Sequence, residues 1–284
     1  MSSPWASALG ALALALPLHS ASRVLAEPIA LKAVIFDEVK PFYQRQDNTY
    51  QGLGVDFLEQ IRNESGRRKV IYQLAPSLKD GFDSIITGNA DIACGVAFSW
   101  PRSTQVNYSL PFAISGTRLL SKSPVDGTPV SIEGKKIAVL QNSVASKVLK
   151  SVAPKAVFVQ FETPSSALQA FNDGKVSILG GDTLWLAANS NSANASLVPT
   201  RPYGRSGMGC IVNQNNGLLL SHANLAIGQI MQAYIDGDAG TRRMINRWIG
   251  PDSPVGLKSS TIRNLYSLIL STTAEISTSV TPSN

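Results

Sequence analysis

At 284 residues the chain is long enough for one large domain or two medium ones, and 44% hydrophobic against 15% charged residues excludes extended disorder. The formal net charge of +6 is carried without a long lysine or arginine run. A basic balance spread in this way argues for solubility or a mildly anionic partner and against nucleic acid.

The chain opens on an apolar run, residues 8–18, too short to span a bilayer and followed by small residues. This is the shape of a signal peptide covering residues 1–26, cleaved after Ala26 or earlier after Ala21; the alternative is a disordered or membrane-lying N-terminus. Loss of Arg23 with that segment would take the charge from +6 to +5. No cysteine follows to suggest a lipoprotein anchor, and no later stretch reaches spanning length.

From about residue 28, apolar strands alternate with helical segments, the pattern of βα units on a parallel sheet. Residues 30–36 read as a strand, 55–63 as a helix, 69–74 as a second strand and 83–87 as a helix. Residues 91–96 form a short apolar run ended by the turn Ser99, Trp100, Pro101, and Arg102 follows at once. A guanidinium just past a strand's C-terminal end is placed to grip a carboxylate bidentately, at the sheet edge where open α/β folds bind ligands; a surface arginine is the plain alternative. An apolar passage then runs through Leu119 and Leu120, and residues 123–127, with Pro124 and Gly127, mark a crossing to a second unit.

That unit repeats the logic in fewer residues: a strand at 136–140, a helix near 145–149, a strand at 156–161, a helix at 166–172 and a strand at 176–180. Residues 199–205, rich in turn formers, bring the chain back to a strand at 207–212. Residues 261–270 fit one amphipathic helix, and the Ser/Thr-rich residues 271–284 are expected to fray. With His19 inside the signal-like segment and His222 on a helix, there is little material for acid and base catalysis. No metal spacing, nucleophile elbow or phosphate loop appears, and no cofactor is expected.

Five segments, in order, carry a family resemblance: Pro41 and Phe42 with QGLGVD at 51–56; the Asp91 strand with SWPR at 99–102; YSLPF at 108–112; GKKIAVLQ at 134–141; and Gly240, Thr241 with RWIG at 247–250. Together, over roughly residues 30–251, they resemble the family 3 extracellular solute-binding proteins, amino-acid receptors of ABC importers. The resemblance implies a two-lobed α/β periplasmic binding protein type II fold, each lobe a mostly parallel sheet flanked by helices, joined by two hinge crossings. Lobe 1 would comprise residues 27–120 and 207–257, lobe 2 residues 121–206, and a C-terminal helix and tail residues 258–284. Hinge closure around a ligand is the mechanism general to such proteins.

Carried over position by position, Arg102 matches the carboxylate-gripping arginine and Asp182 the aspartate that pairs a ligand's ammonium; Asp182 also reads as an ordinary N-cap. Ser143 and Val144 lie in the loop that supplies donors from the second lobe, with Ser143 an N-cap on the plain reading. Asn142 stands where glycine is usual, and Val144 where a second hydroxyl is common. Gly95, Ala97, Ser99 and Phe42 complete the expected ligand contacts, although Ala97 replaces a usual Thr or Ser and the interval from Asp91 to Ser99 is one residue short. Phe36 and Val39 fall where an acidic and an aromatic residue often line the cleft. Glu38, Trp100 and Trp185 are candidates for the side-chain pocket. Cys94 and Cys210 lie in strands that the resemblance makes neighbours, so they are either bridged or two buried thiols.

The function implied is capture of a small carboxylate-bearing solute, an amino acid or relative, by a monomeric periplasmic protein that hands it to the membrane permease of an ABC importer. A sensory ligand-binding protein and a dehydratase-like enzyme on the same scaffold are the alternatives.

Overall fold

The computed structural model describes residues 30–37, 39–190 and 194–279. The expected signal segment and Glu38 lie outside the described residues.

The first lobe begins with β1 (Ala30–Ile35), whose Leu31, Ala33 and Ile35 are buried, and a small hairpin, β2 (Gln44–Gln46) and β3 (Thr49–Gln51). Helix α1 (Leu53–Glu64) follows, with Leu53, Phe57, Leu58 and Ile61 on one face at the helical repeat that makes a buried stripe. Then come β4 (Lys69–Leu74), α2 (Leu78–Ile86), β5 (Ile92–Ala97), the single turn α3 (Trp100–Ser103), β6 (Val106–Tyr108) and β7 (Ala113–Ser121). Helix α2 starts before the expected residue 83, because the Ser77 hydroxyl accepts from the Asp80 amide and caps it there.

The second lobe contains β8 (Lys136–Leu140), α4 (Val144–Val152), β9 (Val157–Phe161), α5 (Pro164–Asn172), β10 (Ile178–Asp182), α6 (Thr183–Ala188) and β11 (Ser196–Val198). Strand β12 (Arg205–Asn213) then re-enters the first lobe, followed by α7 (Gly217–Asp236), α8 (Ala239–Ile249) and α9 (Ser259–Ser279). Helix α9 continues into the stretch expected to fray; Ile262 and Tyr266 bury its first turns in the core of the first lobe.

The strand order is β4-β1-β5-β12-β7-β10-β8-β9. β1 pairs in parallel with β4 and β5, and β8 in parallel with β9 and β10, so each lobe has a parallel set; the strands between them run antiparallel. The sequence suggests a crossing after β7, at residues 123–127, but the crossing lies within that strand. Residues 113–116 pair with β12, while 117–121 pair with β10. One continuous extended strand can serve two sheets, and an apolar run gives no sign of where it changes partner. Beside it the returning chain is bonded across: the Thr117 amide donates to the Gly204 carbonyl at 3.1 Å and the Tyr203 amide to the Thr117 carbonyl at 3.0 Å. Gly116 permits this approach, since a Cβ there would lie 2.5 Å from the Gly204 carbonyl oxygen.

Two fixtures brace the first lobe. Cys94 on β5 lies opposite Cys210 on β12, and the two form a disulfide. The Asp56 carboxylate on α1 accepts from Arg247 Nη2 at 2.7 Å and from Trp248 Nε1 at 2.6 Å, both on α8. The early Gly-x-x-x-Asp segment and the late Arg-Trp segment are therefore partners in packing.

A cavity between the two lobes

Strand ends and helix starts of both lobes enclose a cavity of about 180 Å³. Phe36, Val39, Phe42, Gly95, Ala97 and Arg102 line it from the first lobe; Ser143, Val144, Val148, Asp182 and Trp185 line it from the second; Gly116, Thr117, Gly204, Arg205 and Ser206 come from the crossings.

Arg102 reaches the cavity from α3, with its amide donating to the Ser99 carbonyl. Its guanidinium lies over the Phe82 ring, 4.1 Å from the centroid, and Nη2 donates across the cleft to the Asn142 carbonyl at 2.6 Å. Burial pulls its pKa below the usual guanidinium value, an effect opposed by the neighbouring Tyr108 hydroxyl; a group that starts so high remains a cation.

The turn between β8 and α4 holds Asn142 at φ 60°, the left-handed region that asparagine tolerates better than most residues, so Asn142 takes up the backbone role for which glycine is usual. The Ser143 hydroxyl accepts from the Ser146 amide at 3.0 Å and caps α4. Ser143, Val144 and Ala145 line the cavity, so the open N-terminal turn of α4, with its unshared amides and positive dipole end, is at the cavity wall.

Asp182 ends β10 and caps α6, its Oδ1 accepting from the Leu184 amide at 2.9 Å and the Trp185 amide at 3.3 Å. Burial raises its carboxyl pKa to about 6 against the opposing pull of the Ser115 hydroxyl and those two amides. Cap and cavity wall are thus one residue. Trp185, on the next turn, is 4% exposed, and its indole N–H has no acceptor among the described residues. A second contact bridges the lobes: Asp37 Oδ2 accepts from the Ser165 amide at the start of α5, at 3.1 Å.

The remaining expected contacts divide. Phe42 and Ala97 reach the cavity, as does Gly95, which sits at φ +74°, where a Cβ would also meet the Phe42 ring at 2.9 Å. Ser99 and Trp100 stand outside the cavity wall. Ser99 is absent from the cavity wall, its carbonyl being used to start α3. Trp100 is 78% exposed and packs edge-on against Phe98, because the single turn of α3 sends it away from the side that carries Arg102 inward. Sequence reasoning missed Leu78 and Phe82, whose helix it started too late, Thr117, whose crossing it placed at residues 123–127, and Arg205 and Ser206, which it read as part of the return to the first lobe and not as wall. Among the described residues no three His, Cys, Asp or Glu side chains could hold a metal ion together, and no helix is long and apolar enough to cross a membrane.

The profile of the bacterial extracellular solute-binding proteins, family 3, matches residues 31–251. No curated protein matches the chain. Among solved structures, an ancestral arginine-binding protein bound to arginine aligns with a TM-score of 0.69 at 22% identity, over 78% of this chain and 99% of its own. A periplasmic binding protein of Salmonella typhimurium, described for its high arginine specificity, aligns with a TM-score of 0.70 at 16% identity, over 78% and 100%. An ancestral amino acid-binding protein that is a precursor of cyclohexadienyl dehydratase gives 0.68 at 21% identity, over 78% and 96%. At these identities the likeness is one of fold.

Proposed function

Because the chain belongs to the bacterial extracellular solute-binding proteins of family 3, we propose that it is a periplasmic receptor that closes on a small carboxylate-bearing solute, an amino acid, and delivers it to the permease of an ABC importer. The observation that carries the reading is the pair Arg102 and Asp182, a cation on one lobe and a carboxylate on the other, both lining one cavity. A zwitterion has a charge for each. Its carboxylate takes donors from Arg102 and from the first turn of α4, its ammonium takes Asp182, and the two contacts are complete only when the lobes meet. A cavity of about 180 Å³ suits a small solute, being below the roughly 300–1,000 Å³ of drug-sized sites.

Residues 1–26 serve as the export signal in this reading, and the mature protein acts as a monomer. Binding is favoured over turnover because Asp182 is the one acid that lines the cavity among the described residues, and acid–base catalysis commonly calls on a second such group. The arginine complex among the similar structures supports an amino acid as the solute class. Native mass spectrometry of the purified protein, followed by calorimetric titration with all twenty amino acids, tests it: one-to-one binding of an amino acid is expected, and a protein that binds none of them refutes the reading.

A further inference from the structure

We infer that the solute carries an apolar side chain, so that this receptor selects amino acids such as leucine, methionine or phenylalanine and excludes those with a second charge. The inference rests on the amino-acid receptor reading and goes on to its specificity. The first observation is the wall itself. Phe36, Val39, Leu78 and Phe82 face the cavity from the first lobe, and Val148 and Trp185 from the second. Phe36 and Phe82 pack together at 5.9 Å between centroids, each 8% exposed, and Leu78 sits one helical turn before Phe82 on α2. On the first lobe, Phe36, Phe82 and Leu78 therefore form one packed apolar patch.

The second observation is the charge inventory. Among the described residues, the cavity is lined by one carboxylate, Asp182, and two cations, Arg102 and Arg205. With Asp182 holding the α-ammonium, a ligand guanidinium or ε-ammonium has no counter-charge among the described residues of the wall, and a buried unpaired cation is strongly disfavoured. With Arg102 holding the α-carboxylate, a second carboxylate has only Arg205, which is exposed on the crossing strand and so pairs in solvent, where an ion pair is weak. An apolar side chain meets neither obstacle, and each methylene it buries strengthens binding by about fourfold.

Calorimetry on the full chain, freed of co-purified solute, against leucine, isoleucine, methionine, phenylalanine, arginine, lysine and glutamate decides the matter. At least one apolar amino acid should bind tenfold or more tighter than any of the three charged ones. If arginine, lysine or glutamate binds as tightly as the best apolar ligand, the inference is overturned while the receptor reading stands; if none of the twenty amino acids binds, both fall. A second variant locates the side-chain subsite. Leu78→Glu places a carboxylate in the apolar wall at the first position of α2, where an acid suits the helix dipole and the side chain is only half-buried. It should weaken the best apolar ligand and raise arginine affinity at least tenfold. Unchanged affinities for both would overturn the placement of an apolar side chain against this wall.

Discussion

The guanidinium of Arg102 donates from Nη2 to the backbone carbonyl of Asn142 at 2.6 Å, joining the end of β5's lobe to the loop that opens α4 in the other. The same side chain lies over the Phe82 ring and borders the cavity. In the proposed receptor, closure of the lobes and the grip on a carboxylate share one arginine, which has donors enough for both. On that proposal, a ligand that engages it would gain the interlobe bond as well, which would couple binding to the hinge.

The second interlobe bond, from the Ser165 amide to Asp37, lies outside the cavity and tests that coupling separately. Asp37 is at φ 68°, so alanine would add backbone strain, whereas Asp37→Gly removes the acceptor without it. Loss of one such bond is worth about 0.5–1.5 kcal/mol. Ligand release, followed by stopped-flow fluorescence with Trp185 as the reporter, should accelerate by roughly two- to tenfold; an unchanged release rate would show that this contact does not hold the closed form.

If Asp182 holds a ligand's ammonium as proposed, it gives the protein a pH dependence with opposite signs in its free and bound forms. Its folded pKa, about 6, is above the ordinary carboxyl value of 3.8. Its contribution to the stability of the free protein is therefore full below 3.8 and lost as pH rises through about 6. The ammonium of a ligand needs the ionised carboxylate, so affinity should fall as pH drops through the same range. The melting temperature of the free protein should rise between pH 7 and pH 5 relative to Asp182→Asn, while the ligand-induced increase should shrink. A ligand-induced increase that is the same at both pH values would remove Asp182 from the ammonium site.

The Cys94–Cys210 bridge closes a sequence separation of 116 residues. Because both strands belong to the first lobe, its loss should lower stability without altering the cavity's charges. Replacing both cysteines with alanine should cost about 2–5 kcal/mol in urea unfolding, and intact mass after alkylation without reductant should show no modified thiol. Two alkylated cysteines in the untreated protein would refute the bridge.

The alternation of strands and helices is legible in the sequence because buried parallel strands are short apolar runs, as in residues 30–35 and 136–140. The positions of Arg102 and Asp182 are legible for a related reason: Asp182 closes β10 and Arg102 lies in the single turn after β5, at the strand ends where such folds expose side chains. The crossing is not legible, because β7 keeps its extended backbone and apolar pattern while changing partners at Gly116 and Thr117. Nor is the apolar wall. Leu78 and Phe82 read as core positions of a short helix, and only packing against Phe36 and the arrival of Arg102 turn their edges to the cavity. Trp100 and Ser99 mislead in the opposite sense, since adjacency to Arg102 in sequence says nothing about which side of a single helical turn faces inward.

The most direct measurement is the calorimetric dissociation constant of the best amino-acid ligand for the protein and for Arg102→Ala. Hydrogen bonds from a charged group are worth about 1.5–3 kcal/mol, so affinity should fall by roughly tenfold to a hundredfold or more. A dissociation constant left unchanged by Arg102→Ala would contradict the assignment of this arginine as the carboxylate anchor of the cleft.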